Sequence, residues 1–347
     1  MTRREAVLQT LAHRETVPVP YHLEFTQQAL QKLVEYTGDP AIESGMGGYL
    51  HYGQYWGWPT ELPEKPGYFR DEFGVVWNRT GADKDIGVID EPLIADLADC
   101  DYRFPEPDIA RLRGDIEALL RTRQDRFTFF GFGFCMFERA WSLMGMENTL
   151  ANMILYPEEL EKLLDGICDY MLRLVDVALE YDIDAVYFGD DWGQQRGLIM
   201  GYSHWQRFIL PRMARLYRRV KQAGRLVIQH SCGDIHECFP DLIASGLDCY
   251  QTFQPEVYDI RKIKEQYGDR LSFWGGISTQ RALPAMDRVQ LRREIARILR
   301  EMKPGGGYIL APTHAVPFDV PPENILTMLE AFRDQAALLQ AFPAAAE

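Results

Sequence analysis

The sequence lacks any apolar run long enough to cross a membrane, and none of its cysteines are spaced as CxxC. Its first residues, MTRREAVLQTLAHRE, have the pattern of a charged amphipathic helix without the apolar core of a signal peptide. Acidic residues outnumber basic ones by 51 to 37, and no basic patch is concentrated along the chain. We therefore expect a cytoplasmic protein that binds neither membranes nor nucleic acid.

The six cysteines are scattered along the chain, which excludes a disulfide framework and requires any metal site to be assembled from distant segments. No low-complexity tract and no linker rich in Gly, Ser or Pro divides the sequence. The economical interpretation is a single domain, 1–347. The sequence leaves the oligomeric state open, with a homodimer among the assemblies it allows.

Short apolar runs alternate with long amphipathic helix patterns from residue 127 onward. The runs are FTFFGFG (127–133), AVYFG (185–189), LVIQH (226–230), LDCYQTF (247–253), LSFWGG (271–276) and GYILA (307–311). Strands that are apolar on both faces and separated by helices indicate a parallel sheet. VPVPYHLEF (17–25) predicts a seventh strand, and GGYLHYG (47–53) a weaker eighth.

Eight such strands predict an α/β fold of the (β/α)8 TIM-barrel type, with the active site at the carboxyl ends of the strands. The segment of about 54–107 does not follow the repeat and contains a predicted hairpin, YFRDEFGVVWN. We expect this segment to be an insertion that covers part of the barrel mouth. Its aromatic residues favour an aromatic or methoxylated substrate, although they could equally pack a lid: Tyr52, Trp56, Trp58 and Trp77.

The strongest chemical signal is QHSCGD (229–234), which follows a predicted strand. Side chains alternate in an extended segment, so His230 and Cys232 point the same way and Ser231 the other way. One imidazole and one thiolate could then bind a single Zn²⁺. His314, in APTHAVP after the last strand, could be the third ligand, or it could be a general acid or substrate contact without any metal.

Two aspartates follow another strand in FGDDWG, and adjacent carboxylates cannot both face inward. One of Asp190 and Asp191 is expected in the pocket, where it could act as a general base, and the other is expected to cap a turn. The remaining candidates for substrate binding lie near other strand ends: Glu138, Arg139, Gln254, Glu256, His22, Gly275 and Gly276. The two glycines could offer amides to a carboxylate or phosphate, or simply form a tight turn.

The chain resembles the uroporphyrinogen decarboxylase superfamily, which also contains corrinoid-linked methyltransferases. The resemblance covers most of the chain, and its marks are HSCGD, WGGIS and GGGYILAPTHAVPFDVPPENI. It implies a (β/α)8 barrel. The decarboxylase branch uses no cofactor and holds its acidic tetrapyrrole with an arginine-rich amino-terminal segment, whereas this chain has PVPYHLEFTQQ there.

The methyltransferase branch binds zinc through His-x-Cys and a cysteine from the last strand. His230 and Cys232 match the first two positions, but His314 stands where the final cysteine is expected. A shell of two histidines and one cysteine gives zinc a stronger Lewis acidity, which suits an ether or alcohol oxygen more than a thiol acceptor.

The resulting hypothesis is a zinc-dependent methyltransferase or demethylase that moves a methyl group between a small substrate and a corrinoid protein or thiol acceptor. This chain has no cobalamin-binding segment of its own, so a corrinoid would arrive on a partner. Two alternatives stay open: a metal-free decarboxylase or lyase in which His314 and an aspartate are acid and base, and a binding protein without catalysis.

Overall fold

The computed structural model describes residues 1–81, 86–98 and 101–343, so Cys100 and part of the predicted insertion lie outside the described residues. The strands within these ranges are β1 Leu50–Tyr55, β2 Thr60–Glu61, β3 Tyr68–Arg70, β4 Val76–Asn78, β5 Val88–Ile89, β6 Phe127–Phe132, β7 Ala185–Gly189, β8 Gly193–Gln194, β9 Gly197–Leu198, β10 Leu226–His230, β11 Cys249–Phe253, β12 Ser272–Ile277 and β13 Tyr308–Pro312.

The helices follow the amphipathic patterns of the sequence. They are α1 Arg3–Leu11, α2 Gln27–Thr37, α3 Ile42–Gly45, α4 Ile109–Arg121, α5 Phe137–Met144, α6 Met146–Leu155, α7 Pro157–Ala178, α8 Tyr202–His204, α9 Leu210–Gln222, α10 Phe239–Ser245, α11 Ile260–Tyr267, α12 Ala282–Ala285, α13 Arg288–Met302, α14 Pro322–Arg333 and α15 Gln335–Ala341. A π-helical turn, Trp205–Ile209, joins α8 to α9, and a 3-10 turn, His236–Cys238, precedes α10. Proline opens α7 and α14 at a position where its missing N–H is not needed.

Seven of these strands form one sheet in the order β1, β6, β7, β10, β11, β12, β13. The pairs β6–β7, β7–β10, β11–β12 and β12–β13 are parallel. β6, β11, β12 and β13 are buried along their whole length, as expected for strands covered on both faces. The six strands predicted from residue 127 onward are all present, with ends displaced by at most two residues, and the (β/α)8 fold class is confirmed.

The predicted first strand, 17–25, is the exception among the strand predictions. It forms only isolated bridges, including one from Tyr21 to Leu310 of β13, because its prolines cannot donate to a ladder. The amide of Leu310 donates to the carbonyl of Pro20 at 2.9 Å, and the amide of Tyr49 donates to the carbonyl of Tyr21 at 3.0 Å. The segment therefore occupies the place of the eighth strand without forming one, while the weaker prediction for 47–53 corresponds to β1.

The chain divides into two compact units. One comprises residues 1–51, 123–128 and 248–347, and the other comprises residues 52–122 and 129–247. The first contains β11 to β13 with the helices after them, and the second contains β7, β10 and the antiparallel sheet β2–β3–β4–β5. The single domain 1–347 stays a prediction.

The predicted hairpin YFRDEFGVVWN is confirmed, since Tyr68 of β3 pairs with Asn78 of β4 in antiparallel register. Trp77 packs edge-on against Phe134, which follows β6, with ring centroids 5.3 Å apart. The insertion is therefore anchored near the carboxyl end of β6, and its coverage of the barrel mouth stays a prediction. Within the described ranges, every helix is too short or too polar to span a bilayer.

Candidate metal centre

His230 ends β10, and Cys232 follows two residues later. The Sγ atom of Cys232 lies 3.7 Å from Nε2 of His230, and both side chains are half-buried. Ser231 points the opposite way, is fully buried, and accepts the amide of Trp192 at 2.9 Å through Oγ. The alternation predicted from the sequence is confirmed for these three side chains.

Asp191, which follows β7, connects the two candidate ligands. Its Oδ1 lies 3.3 Å from Nε2 of His230 and accepts the amide of Cys232 at 2.8 Å. Burial alone would raise the pKa of Asp191, but the hydrogen bonds with His230 and Cys232 and the charge of His230 together outweigh burial and lower that pKa to about 2. Burial alone would lower the pKa of His230, yet Asp191 and Cys232 raise it well above its usual value. Asp191 thus holds the imidazole in place.

The His and Cys side chains form a group with the donor set of a metal site. Tetrahedral zinc with ordinary Zn–S and Zn–N bonds separates two such atoms by about 3.6 Å, and Cys232 and His230 are 3.7 Å apart. These two residues fit two ligands of a zinc ion. His314 follows β13 in the other compact unit, and its place as the third ligand stays a prediction.

Glu138 lies in the first turn of α5, after β6. Burial raises its pKa well above the usual range, and the negative charges of Asp191 and Asp190 raise it further. Burial and these neighbouring charges therefore favour the protonated form of Glu138. Its contact with substrate stays a prediction.

The structure does not support a catalytic role for Asp190, which is fully buried. Its carboxylate accepts the amides of Met136, Phe137 and Glu138 at 2.8 to 3.2 Å, together with the indole N–H of Trp192. Burial raises its pKa to about 6, against the effect of these donors. Asp190 therefore caps the amino terminus of α5, and Asp191 is the member of the pair that faces the candidate ligands.

Arg139 also differs from the prediction. Its guanidinium is 1% exposed, donates to Asp71 Oδ2 at 2.7 Å and stacks on Phe73, with its Cζ atom 3.9 Å from the ring centroid. Asp71 in turn accepts the amides of Phe73 and Val75. The predicted contact between Arg139 and substrate is wrong, because this side chain is committed to the insertion.

Gly275 and Gly276 lie inside β12 rather than in a loop. A Cβ at Gly275 would come 2.8 Å from the backbone nitrogen of Phe253, and one at Gly276 would come 2.8 Å from the hydroxyl of Tyr308. These glycines are needed for close strand packing. The binding of substrate by their amides stays a prediction.

Glu256 and Gln254 follow β11. Ser278, after β12, donates to Oε1 of Glu256, and no partner within the described ranges contacts the buried Oε2 of Glu256. Gln254 is buried. His22 is buried edge-on against Trp274 with ring centroids 5.5 Å apart, and burial lowers its pKa to about 4. Substrate contacts of these three residues stay predictions.

Sequence reasoning missed several residues that shape the site. The sequence around Asp71 indicates only a turn in the hairpin, and the sequence around Ser278 indicates only a βα turn. The pair Gly193 and Gly233 allows two backbones to meet, because a Cβ on Gly233 would lie 2.3 Å from the carbonyl carbon of Gly193. The aromatic residues in and beside the insertion pack against other rings: Tyr52 of β1 stacks on Phe129 of β6, and Trp58 lies edge-on to Tyr55.

The fold is a (β/α)8 barrel, and polar side chains follow β7, β10 and β13. A family model, Uroporphyrinogen decarboxylase (URO-D), matches residues 80–335. The chain belongs to this family.

Curated relatives carry the name of the decarboxylase. The chain is 26% identical over 238 residues to uroporphyrinogen decarboxylase of Syntrophotalea carbinolica, covering 65% of each chain. It is 22% identical over 255 residues to that of Saccharophagus degradans, covering 70% of this chain and 69% of the relative. The chain thus spans just under two thirds of the first of these relatives.

A solved structure shares the fold over nearly the whole chain. A methyltransferase from Methanosarcina mazei superposes with a TM-score of 0.73 at 17% identity, covering 96% of this chain and 99% of that one. This likeness shows the fold, and membership of the family indicates an enzyme.

Proposed function

We propose that the chain is a zinc-dependent methyltransferase or demethylase that moves a methyl group between a small methoxylated substrate and a corrinoid carried by a partner protein, or a thiol acceptor. The single observation that carries this proposal is the pair of His230 and Cys232, whose Nε2 and Sγ atoms lie 3.7 Å apart beside the carboxylate of Asp191. His314 is the proposed third ligand. Three protein ligands leave a fourth position open to substrate, which is the arrangement of catalytic rather than structural zinc.

The donor set favours an oxygen substrate. When bound, zinc would act as a Lewis acid that makes a methoxy oxygen a better leaving group. Two neutral imidazoles and one thiolate leave the ion with net positive charge, whereas thiolate-rich shells favour nucleophilic sulfur. His314, in the place where the methyltransferase branch has a cysteine, is therefore the residue that points to an ether or alcohol.

The chain's own residues supply orientation and a proton. Asp191 fixes the ring of His230 and the backbone of Cys232. The raised pKa of Glu138 favours its protonated form, which makes it the proposed proton donor. As the methyl group leaves, the substrate oxygen keeps the bonding electron pair, and the carboxyl proton of Glu138 is available to that oxygen.

One observation favours a second candidate, a metal-free decarboxylase. The imidazole of His230 pairs with Asp191 and has a raised pKa, so it can hold a proton without any metal. Together with His314 this pair could supply acid and base to a small carboxylated substrate. In that case neither Cys232 nor chelation would affect turnover.

Metal analysis separates the two candidates. We expect about one zinc per chain in untagged protein purified without added metal, and loss of that zinc in Cys232→Ser and in His314→Ala. His236→Asn is the matched control, because His236 is an exposed imidazole in the same loop and pairs only with Asp234 in the described contacts. Metal-free protein that also fails to bind added Zn²⁺ would eliminate the methyltransferase and leave the decarboxylase.

A direct assay follows from the metal analysis. Methoxylated aromatic compounds are incubated with the enzyme and free cob(I)alamin, and methylcobalamin formation is read from the absorbance spectrum. We expect methylation with the native enzyme and with His236→Asn and none with Cys232→Ser. Methylation that persists in Cys232→Ser at the native rate would contradict a role for the metal.

A further inference from the structure

A cavity of about 680 Å³ lies in the unit formed by residues 1–51, 123–128 and 248–347, away from the strand ends that carry His314. Its lining includes Gly268, which precedes β12, and Gly305, which precedes β13. Since β12 and β13 are parallel, these positions mark the amino edge of the strands, whereas His314 follows β13 at the carboxyl edge. The cavity is therefore separate from the candidate metal centre.

Lys264 of α11 is the most buried cation of the cavity, with 9% of the residue exposed. Its Nζ donates to the carbonyl of Gly306, in a turn where Gly305 and Gly306 have φ of +73° and +69°. An ammonium has three N–H donors, and this bond uses one of them. Burial lowers the pKa of Lys264 to about 8. Lys264 is thus a buried cation with unused donors beside an open volume.

The charged groups of the lining differ in whether they form ion pairs. The acidic groups of the lining each pair with an arginine: Glu265 with Arg261, Asp269 with Arg270 and Glu301 with Arg297. Arg300 donates to the carbonyl of Leu339 at 3.3 Å. Within residues 1–81, 86–98 and 101–343, no carboxylate lies within ion-pair distance of Lys264 or Arg300. The nearby carboxylate of Glu15 accepts the amide of Gly305, and its charge acts on Lys264 without a direct ion pair. Two cations of the cavity are therefore outside ion pairs in the described part of the chain.

We propose that this cavity is a binding site for a phosphorylated small molecule, with the phosphate held by Lys264 and Arg300. Lysine and arginine are the side chains that bind phosphate most strongly, and burial of the ammonium strengthens such a contact. The volume is that of a site for a metabolite rather than a bare ion. Most of the lining residues are charged, and His13 is the sole aromatic ring among them, so a sugar phosphate fits better than a group that must stack on aromatic rings.

Titration calorimetry with ribose 5-phosphate as the probe tests the proposal. We expect saturable binding that weakens by at least about tenfold in Lys264→Met and in Arg300→Gln. Lys262→Met is the matched control, because Lys262 is an exposed lysine of the same helix that pairs with Asp259 outside the lining. Arg300→Gln keeps the test valid if Lys264→Met fails to fold. Zinc content should not change in any variant.

Parallel titrations with inorganic phosphate and citrate identify which part of the probe the cavity binds. Inorganic phosphate should bind more weakly than ribose 5-phosphate and compete with it, and citrate should not compete at equal ionic strength. Equal affinity for ribose 5-phosphate in the native chain, Lys264→Met and Arg300→Gln would overturn the proposal. Absence of binding at millimolar probe would overturn it as well, and competition by citrate alone would overturn the phosphate class.

Discussion

Oδ1 of Asp191 lies 3.3 Å from Nε2 of His230. The same oxygen accepts the amide of Cys232, so one carboxylate positions both members of the His-x-Cys pair. Such a partner behind metal ligands fixes the ring orientation and raises the basicity of the ligand. The effect of Asp191 on metal affinity can be measured separately from the effects of His230 and Cys232.

Asp191→Asn should weaken zinc binding by about 10- to 100-fold without abolishing it. The amide side chain keeps an oxygen for the Cys232 amide but loses the charge that favours the imidazole. Competition with a chromophoric chelator measures the affinity. Asp241→Asn, which removes an exposed carboxylate bonded to Tyr202, is the control. Unchanged affinity in Asp191→Asn would show that the carboxylate does not support the site.

Gly233→Ala should disturb the loop that carries Cys232. Gly233 has φ of +73°, and an added Cβ would meet the backbone of Gly193 at 2.3 Å. Gly197 has φ of +90° with open space around a Cβ, so Gly197→Ala introduces backbone strain alone, worth about 1–2 kcal/mol. We expect Gly233→Ala to lose zinc and Gly197→Ala to retain it. Equal zinc content and equal urea midpoints in the two variants would contradict the steric account.

The sequence predicts those features of the site that depend on local periodicity. Fully buried strands such as β6 appear as short apolar runs between turn residues, and the two-residue repeat of an extended chain places His230 and Cys232 on one side. The segment 17–25 has the same composition, yet whether it forms a ladder depends on its neighbours in space and on its prolines.

The roles of charged residues are decided by partners that are distant in sequence. Asp190 and Asp191 are adjacent and chemically alike, and only the position of the amides of α5 assigns the first to capping. Arg139 is 68 residues from Asp71, so the sequence gives no sign of that ion pair. Because these groups are buried, loss of one partner should lower the free energy of unfolding by a measurable amount.

Arg139→Met should destabilise the protein by about 3–5 kcal/mol, because it leaves the buried carboxylate of Asp71 without its counter-charge. Urea denaturation measures the free energy of unfolding. Arg113→Met, which removes an exposed ion pair with Glu180, should cost less than about 1 kcal/mol. A variant that is stable but has a raised substrate KM would instead support the substrate contact that the structure argues against.

Glu256→Gln should stabilise the free protein and weaken substrate binding. The buried Oε2 of Glu256 has no partner in the described part of the chain, so neutralising the group should stabilise the free protein by about 1 kcal/mol. If the substrate supplies the missing donor, the same change should raise KM. Thermal unfolding and the methyl-transfer assay give the two values, with the exposed Glu265→Gln as control. A loss of stability with unchanged KM would indicate a structural carboxylate.

Lys264 should make the stability of the chain depend on pH above neutrality. Burial lowers its pKa to about 8 from 10.5 in the unfolded chain. Between these values the unfolded state binds more protons than the folded state, so stability contributed by this group rises with pH. Below pH 8 both states are protonated, and the burial cost is constant.

Lys264→Met removes this titration. Its free energy of unfolding should exceed that of the native chain at pH 7.5, and its slope between pH 8 and 10 should be smaller by up to about 1.4 kcal/mol per pH unit. Urea titrations at half-unit steps measure both quantities. Lys262→Met should follow the native curve, because its ammonium is exposed. Parallel curves for Lys264→Met and the native chain would mean that the ammonium of Lys264 is solvated, since a solvated lysine has the same pKa in both states.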